Sequence, residues 1–171
     1  MSIRRDASSK FGKSNRWANF WSVGFLWDAK LEKFLDDIDW LNIAQVSTSY
    51  GTSGNSSIPN YDHMPLFAAG PEYSGMTGIA PYTRGNEMLT WEKLNTYNLA
   101  LKLGFFNRVE LNAELYHKKT TDMLMEVPIT LGNGTAMEWD NIGAMVNRGI
   151  EANVNVHLLQ HKDFNWYINA V

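Results

Sequence analysis

The stretch that decides the fold is YNLALKLGFFNRVELNAELY, residues 97–116. Apolar side chains occupy every second position over 97–103 and again over 109–115. Successive residues of a strand point to opposite faces, so each half is predicted to be a strand with one apolar face. The segment between them, GFFN at 104–107, is short and typical of a turn. An antiparallel hairpin is therefore predicted here.

The same alternation recurs on both sides of this hairpin. Residues 150–158 and 164–170 alternate between apolar and polar side chains, and the turn-like segment 159–163 joins them. A second hairpin is therefore predicted. Residues 17–27 and 44–50 alternate less regularly, with bulky aromatic side chains in the first row. These two segments are predicted to be strands as well.

A short helical segment is predicted between the strands at 17–27 and 44–50. Leu31, Phe34 and Leu35 recur at helical spacing, and Asp28 is available as an N-cap. The pattern predicts a short amphipathic helix or a 3₁₀ turn.

Two long connections interrupt the alternating segments. The first, near 51–89, holds four of the five prolines and six glycines, and the second runs near 126–146. Proline cannot donate a hydrogen bond to a strand ladder, so both connections are expected to be irregular loops. Long connections alternate with short ones along the chain, which places the long loops at one end of the strands and the short turns at the other.

Composition excludes several classes of function. The formal net charge is −3, so the chain lacks the excess of lysine and arginine that binding to nucleic acid requires. It has no cysteine, which removes disulfides, thiolate metal sites and cysteine nucleophiles. No other side chains form a convincing catalytic or metal-ligating pattern. We therefore expect no enzyme activity, no cofactor and no metal.

Two all-β architectures fit the alternation. In a soluble β-sandwich the apolar rows face a shared core, whereas in an outer-membrane barrel they face lipid. The predicted strands at 91–104 and 108–123 exceed the usual five or six residues and are long enough to cross a bilayer. Their length, together with long loops at one end only, favours the barrel, but the alternation alone leaves both open.

Five stretches, in order along nearly the whole chain, carry a family resemblance. They are SIRRDASSKFG at 2–12 with the NRW and FWSV that follow, SYGTSGN at 49–55, LTWEK at 89–93 leading to LGFFN at 103–107, YHKKTTDML at 116–124, and NIGAMVNRGIE at 141–151 followed by KDFNW. In these stretches the chain resembles the RagA/SusC-like TonB-dependent outer-membrane receptors. Trp21 and Arg148 stand where the family more often has proline and lysine.

The resemblance implies a fold and an extent. Residues 1–171 would be an arc of antiparallel, up-and-down strands in a transmembrane β-barrel, contributing about six strands and part of a seventh. The family's barrels have about 22 strands closed around a plug. The plug domain and the TonB box lie outside this sequence, so the chain is expected to be an internal fragment of the barrel.

The resemblance also implies a function. The chain would be a wall segment of an importer for oligosaccharides or peptides in the bacterial outer membrane, in contact with membrane lipid. Its expected partners are a SusD-like surface lipoprotein and the TonB complex, the latter through the plug. A soluble β-sandwich that binds carbohydrate remains the alternative function.

Four aromatic residues in the long connections are candidate ligand contacts. They are Tyr61, Tyr73, Tyr82 and Trp139. Exposed aromatic faces stack on sugar rings, so contact with a glycan is one interpretation. Packing within the loops explains the same residues equally well.

Overall fold

The computed structural model describes residues 1–130, 132 and 134–171, apart from the side chain of Tyr73. These residues contain eleven strands: β1 (Ser2–Ala7), β2 (Trp17–Asp28), β3 (Leu41–Asn55), β4 (Leu66–Tyr73), β5 (Met76–Thr83), β6 (Glu92–Phe105), β7 (Val109–Thr121), β8 (Leu124–Pro128), β9 (Met137–Asn141), β10 (Ala144–His161) and β11 (Phe164–Ala170). Seven of them form one antiparallel sheet in the order β1-β2-β3-β6-β7-β10-β11. The strands of this main sheet keep their chain order, with the β4–β5 and β8–β9 pairs outside it, which confirms the predicted up-and-down arrangement.

The two short turns of the main sheet differ in how well the sequence located them. The β6–β7 turn falls at Phe106 and Asn107, whose φ angles of 55° and 53° are those of a type I′ hairpin turn. The sequence predicts the second turn at 159–163. In the structure β10 continues to His161, which pairs with Phe164 of β11, so the turn is shorter than predicted. A register shift between His157 and Leu159 takes up one extra residue as a β-bulge, so the ladder continues past it.

Both long connections contain strand pairs, which corrects the expectation of irregular loops. In the first connection β3 extends to Asn55, and β4 and β5 then form a two-stranded sheet. In the second, β8 pairs with β9. Pro71 falls in the register shift between Ala69 and Glu72, where no ladder hydrogen bond is required.

The predicted helical segment is present and short. Residues Ala29–Leu31 form a 3₁₀ turn and Lys33–Asp36 form helix α1. The Asp28 carboxylate accepts a hydrogen bond from the Lys30 backbone N–H at 3.3 Å, so Asp28 is the predicted N-cap. Within the described residues, no helix has the length and apolar character needed to cross a membrane.

The two faces of the main sheet differ in polarity. On one face, Val46, Leu101 and Ala113 lie side by side in register. On the other, Ala100 lies beside Glu114, which is paired with Glu151 of β10. Paired residues of an antiparallel sheet point to the same side, so each face keeps its predominant polarity from strand to strand, with Thr48 on the apolar side and Leu26 on the polar side as exceptions.

The apolar face has no core beneath it. Phe25 and Ile150, both on this face, are 64% and 74% exposed, so no second sheet packs on them. The described residues therefore do not form the β-sandwich alternative, in which these side chains would make the shared core. A hollow of about 400 Å³ lies on the opposite face, lined by polar side chains such as Gln45, Lys102 and Asn112. We call this polar side of the main sheet the concave face.

The buried side chains lie instead at the two ends of the main sheet. At the end with the long connections, five residues form a group that we call the long-loop cluster: Phe11, Phe20, Ile58, Leu89 and Trp91. At the other end, Ala29 of the 3₁₀ turn packs with Leu41 and Ala44, and Leu35 of α1 packs against this group. The long-loop cluster anchors the segments that form the candidate site.

Candidate functional site

A cavity of about 550 Å³ lies between the β4–β5 hairpin and the β8–β9 hairpin, at the end of the sheet with the long connections. Its walls come from three parts of the chain, 59–66, 81–86 and 134–139, and from Glu126 of β8. We call this the hairpin cavity. None of these wall segments belongs to the main sheet.

Side-chain amides hold the two long connections together. Asn86 Nδ2 donates to the Trp139 carbonyl at 3.1 Å and to Asp140 Oδ1 at 3.3 Å. Asn141 Nδ2 donates to the carbonyls of Thr90 and Asp122 at 2.9 and 2.8 Å, and its Oδ1 accepts from the Thr90 N–H at 2.8 Å. The walls of the hairpin cavity are therefore bonded to each other and to the start of β6.

Two glycines permit the close approach of the wall segments. Gly85 has φ of +77°, and a Cβ there would lie 2.3 Å from the Met64 carbonyl carbon. Gly134 has φ of +81°, and a Cβ there would lie 2.8 Å from Pro81 Cγ. A side chain at either position would be strained by its φ and would push the wall segments apart.

One side of the hairpin cavity, at Trp139, packs against the long-loop cluster. Trp139 is partly buried against that cluster. Within the cluster, the Trp91 indole N–H donates to the Arg16 carbonyl at 3.1 Å, and its ring lies 5.4 Å from the ring of Phe11. Glu126 pairs with Trp139 across β8 and β9, so these two side chains share one face of the hairpin.

The hairpin cavity carries negative charge. Arg84 and Glu138 form an ion pair at 3.4 Å on its rim. Asp62 and Glu126 have no such partner among the described residues. Burial raises the pKa of the Asp62 carboxyl above its ordinary value, and the charge of the Glu126 carboxylate raises it further. The site thus holds two carboxylates close enough to repel each other.

One buried hydroxyl adjoins the same cavity. Thr135 is among the lining residues and is only 8% exposed. Its Oγ1 has no hydrogen-bond partner among the described residues. A buried polar group without a partner costs free energy. The site therefore has a hydrogen-bonding group that the protein itself leaves unsatisfied.

The structure brings two of the four aromatic candidates together. Tyr82 and Trp139 both line the hairpin cavity. Tyr61 does not line it and is 59% exposed. The side chain of Tyr73 lies outside the described residues. Contact with a ligand remains a prediction for all four.

The charged residues of the cavity were missed by sequence reasoning. Asp62, Arg84 and Glu126 lie in the two long connections, and no regular spacing in the sequence connects them. They meet only because the two hairpins pack side by side. The nearest signal in the sequence is the presence of proline and asparagine in both connections, because these residues occur in structured turns as well as in irregular loops.

The concave polar face of the main sheet is a second region with hydrogen-bonding capacity. Lys102 Nζ lies 3.9 Å from Glu110 Oε2. Asn155 Nδ2 donates to Asn153 Oδ1 of the same strand, and Asn155 Oδ1 accepts from Asn169 Nδ2 of β11. Arg4 Nε lies 2.8 Å from Asp6 Oδ2 on β1. These side chains equip the face to contact water or another polar surface.

Comparison with known proteins identifies the family. The model of the family described as "TonB dependent receptor-like, beta-barrel" matches residues 1–171. The chain belongs to this family. The family resemblance read from the sequence is therefore confirmed.

Individual relatives agree with the family assignment. The chain is 35% identical over 173 residues to TonB-dependent receptor SusC of Bacteroides thetaiotaomicron, covering 96% of this chain and 17% of SusC. Among solved structures, the RagAB peptide importer in its closed-closed state matches with a TM-score of 0.89 and 37% identity, covering 98% of this chain and 18% of that one. The open-open state of the same importer matches with a TM-score of 0.85. The chain spans less than a fifth of the length of these relatives.

Family and geometry together fix the environment of the sheet. Barrels of this kind are integral to the outer membrane, with an outward band of apolar side chains and a polar interior. The chain is thus part of an outer-membrane β-barrel, as predicted. Its apolar face is the side that meets lipid, and the concave polar face is the interior.

Proposed function

We propose that the chain is a wall segment of a TonB-dependent nutrient importer that takes up oligosaccharides or peptides. The observation that carries this proposal is the pair of faces on the seven-stranded sheet, one predominantly apolar and one predominantly polar. That pattern suits a wall between lipid and an aqueous interior. The similarity to SusC and to a peptide importer supports the proposal that nutrients cross the membrane through this aqueous interior.

The chain's part in import is structural and selective rather than chemical. The main sheet separates lipid from the interior, and the long connections form the mouth, because outer-membrane barrels carry their long loops on the outside. No bond of the substrate is broken or formed by residues of this segment. Tyr61, Tyr73, Tyr82 and Trp139 are proposed to contact substrate at the mouth.

Two partners complete the proposed importer. A SusD-like surface lipoprotein would cover the mouth, at the end where the hairpin cavity lies. The TonB complex would act through a plug domain held against the concave face. The polar side chains of that face, including Asn112 and Asn153, would supply hydrogen bonds to the plug.

Uptake by cells that carry the full-length receptor tests the proposed function. We expect deletion of its gene to abolish uptake of at least one labelled oligosaccharide or peptide, without affecting its monomers. Depletion of TonB should have the same effect, and a plasmid copy of the receptor should restore uptake in the deletion strain. A deletion strain that takes up every tested oligomer at the wild-type rate would contradict the proposal.

A further inference from the structure

We propose that the hairpin cavity binds the lysine or arginine side chain of a peptide substrate. This inference rests on the proposed import function and adds to it the class and charge of the substrate. The occupant is identified by the charge of the cavity, its apolar lining and its fixed walls.

The charge of the cavity favours a cation. Asp62 and Glu126 face a shared space and repel each other, while the one arginine of the rim, Arg84, is engaged by Glu138. A positively charged group between the two carboxylates would remove that repulsion and form charge-assisted hydrogen bonds. An anionic substrate group would add to the repulsion instead.

The lining favours a cation on a long apolar stem. Leu66, Pro81 and Met137 line the cavity alongside the carboxylates. Lysine and arginine side chains combine a chain of methylene groups with a charged end, so they can cover apolar surface while the charge reaches a polar partner. The volume of about 550 Å³ is ample for one such side chain and adjacent backbone.

The same lining is poorly suited to a sugar. Stacking on a sugar ring needs an exposed aromatic face, and Trp139 is partly buried against the long-loop cluster. Only Tyr82, which is 67% exposed, offers an open ring among the described lining residues.

The walls are held in place before any ligand binds. The Asn86 and Asn141 amides and the Arg84–Glu138 ion pair connect the two long connections across the cavity. A site that is already ordered loses less conformational entropy on binding. The unsatisfied Thr135 hydroxyl offers a further hydrogen bond to the peptide backbone, after rotation about χ1.

Peptide binding to the full-length receptor, purified in detergent with any lipoprotein that accompanies it, tests the inference. The probes are three alanine hexapeptides that carry lysine, norleucine or glutamate at one central position. We expect the lysine peptide to bind roughly tenfold more tightly than the norleucine peptide, because a hydrogen bond to a charged group outweighs an apolar contact of equal length. The glutamate peptide should bind most weakly.

Removing the two charges should abolish the preference. The double variant Asp62→Asn, Glu126→Gln should bind the lysine and norleucine peptides equally. The matched control is Asp36→Asn, Asp37→Asn, which removes two charges at the other end of the sheet and should keep the wild-type preference. Heat-modifiable migration on gels shows whether each variant has assembled its barrel.

Two results would overturn the inference while leaving import intact. One is an equal affinity of the wild-type receptor for lysine and norleucine peptides, a comparison that needs no variant. The other is a glucosamine tetramer that binds through Asp62 and Glu126 when no peptide does, which would assign the site to an amino sugar. Failure of the proposed function would look different, because no oligomer of any charge would then be taken up.

Discussion

The two faces of the main sheet are made by the same strands, yet they are built for different surroundings. Leu101 belongs to a row of apolar side chains, while its neighbour Ala100 lies beside Glu114 on the concave side. A strand alternates its side chains with a period of two, so one sequence can satisfy lipid and water at once. Burial within this chain therefore does not show which of its side chains are shielded from water, because the membrane covers the apolar face.

A charge on the apolar face should have the largest effect. Leu101→Arg places a cation among lipid-facing side chains, which costs about 2–4 kcal/mol near the bilayer midplane. We expect most of the receptor to fail to assemble, measured as loss of the heat-modifiable band in outer-membrane fractions.

The neighbouring residue supplies the control for that variant. Ala100→Arg introduces the same charge one position away, on the concave face and beside Glu114. It should assemble to near the wild-type level. Equal failure of both variants, or failure of the Ala100 variant alone, would contradict the assignment of the faces.

A methyl group at Gly149 should have an intermediate effect. A Cβ there would lie 2.6 Å from Tyr116 Oη and 2.8 Å from its Cζ, so the ring that covers Gly149 would have to move. We expect Gly149→Ala to lower the free energy of unfolding by about 1 kcal/mol, in line with the lower range for overpacked sites. Urea unfolding of the receptor in detergent measures it.

Gly24 and Tyr116 provide two controls for the Gly149 variant. A Cβ at Gly24, also within a strand, would meet nothing closer than 3.7 Å, so Gly24→Ala should be neutral or stabilising. The double variant Gly149→Ala, Tyr116→Ala should lose the clash. If Gly149→Ala is harmless while Tyr116 is intact, the ring does not lie over that glycine.

Breaking an ion pair on the concave face should have the smallest effect. Lys102 and Glu110 are 3.9 Å apart and both are substantially exposed. Pairs of this kind contribute less than about 1 kcal/mol and are screened by salt. Glu110→Gln should therefore leave the unfolding midpoint nearly unchanged, with any difference vanishing at high salt. A large loss would show that Glu110 has a partner beyond this segment.

The sequence was informative where side chains follow a regular period. The alternation over 97–116 predicted β6, β7 and the turn between them, and Asp28 predicted the N-cap that the structure shows. The β8–β9 hairpin was missed because each of its strands has only five residues. The β4–β5 hairpin was missed because its side chains are largely exposed and its strands contain proline and glycine. Without a buried face, a strand has no reason to alternate.

The candidate site could be predicted only in part. Position in the long connections was enough to select Tyr82 and Trp139, which do share the hairpin cavity. The carboxylates of Asp62 and Glu126 could not be found, because their proximity depends on how two hairpins pack. Hydrogen bonds donated by the side-chain amides of Asn86 and Asn141 hold that packing in place, and the sequence does not indicate which carbonyls accept them.

Spin labels on adjacent residues of β7 test the central claim most directly. This chain contains no cysteine, so the variants Leu111→Cys and Asn112→Cys each add one labelling site to it. Any cysteine elsewhere in the receptor is first replaced by serine, and the nitroxide-labelled receptor is reconstituted in lipid vesicles. We expect oxygen, which concentrates in the hydrocarbon layer, to relax the label at 111 strongly and the label at 112 weakly. A stronger oxygen effect at 112 than at 111 would show that the apolar face does not meet the membrane.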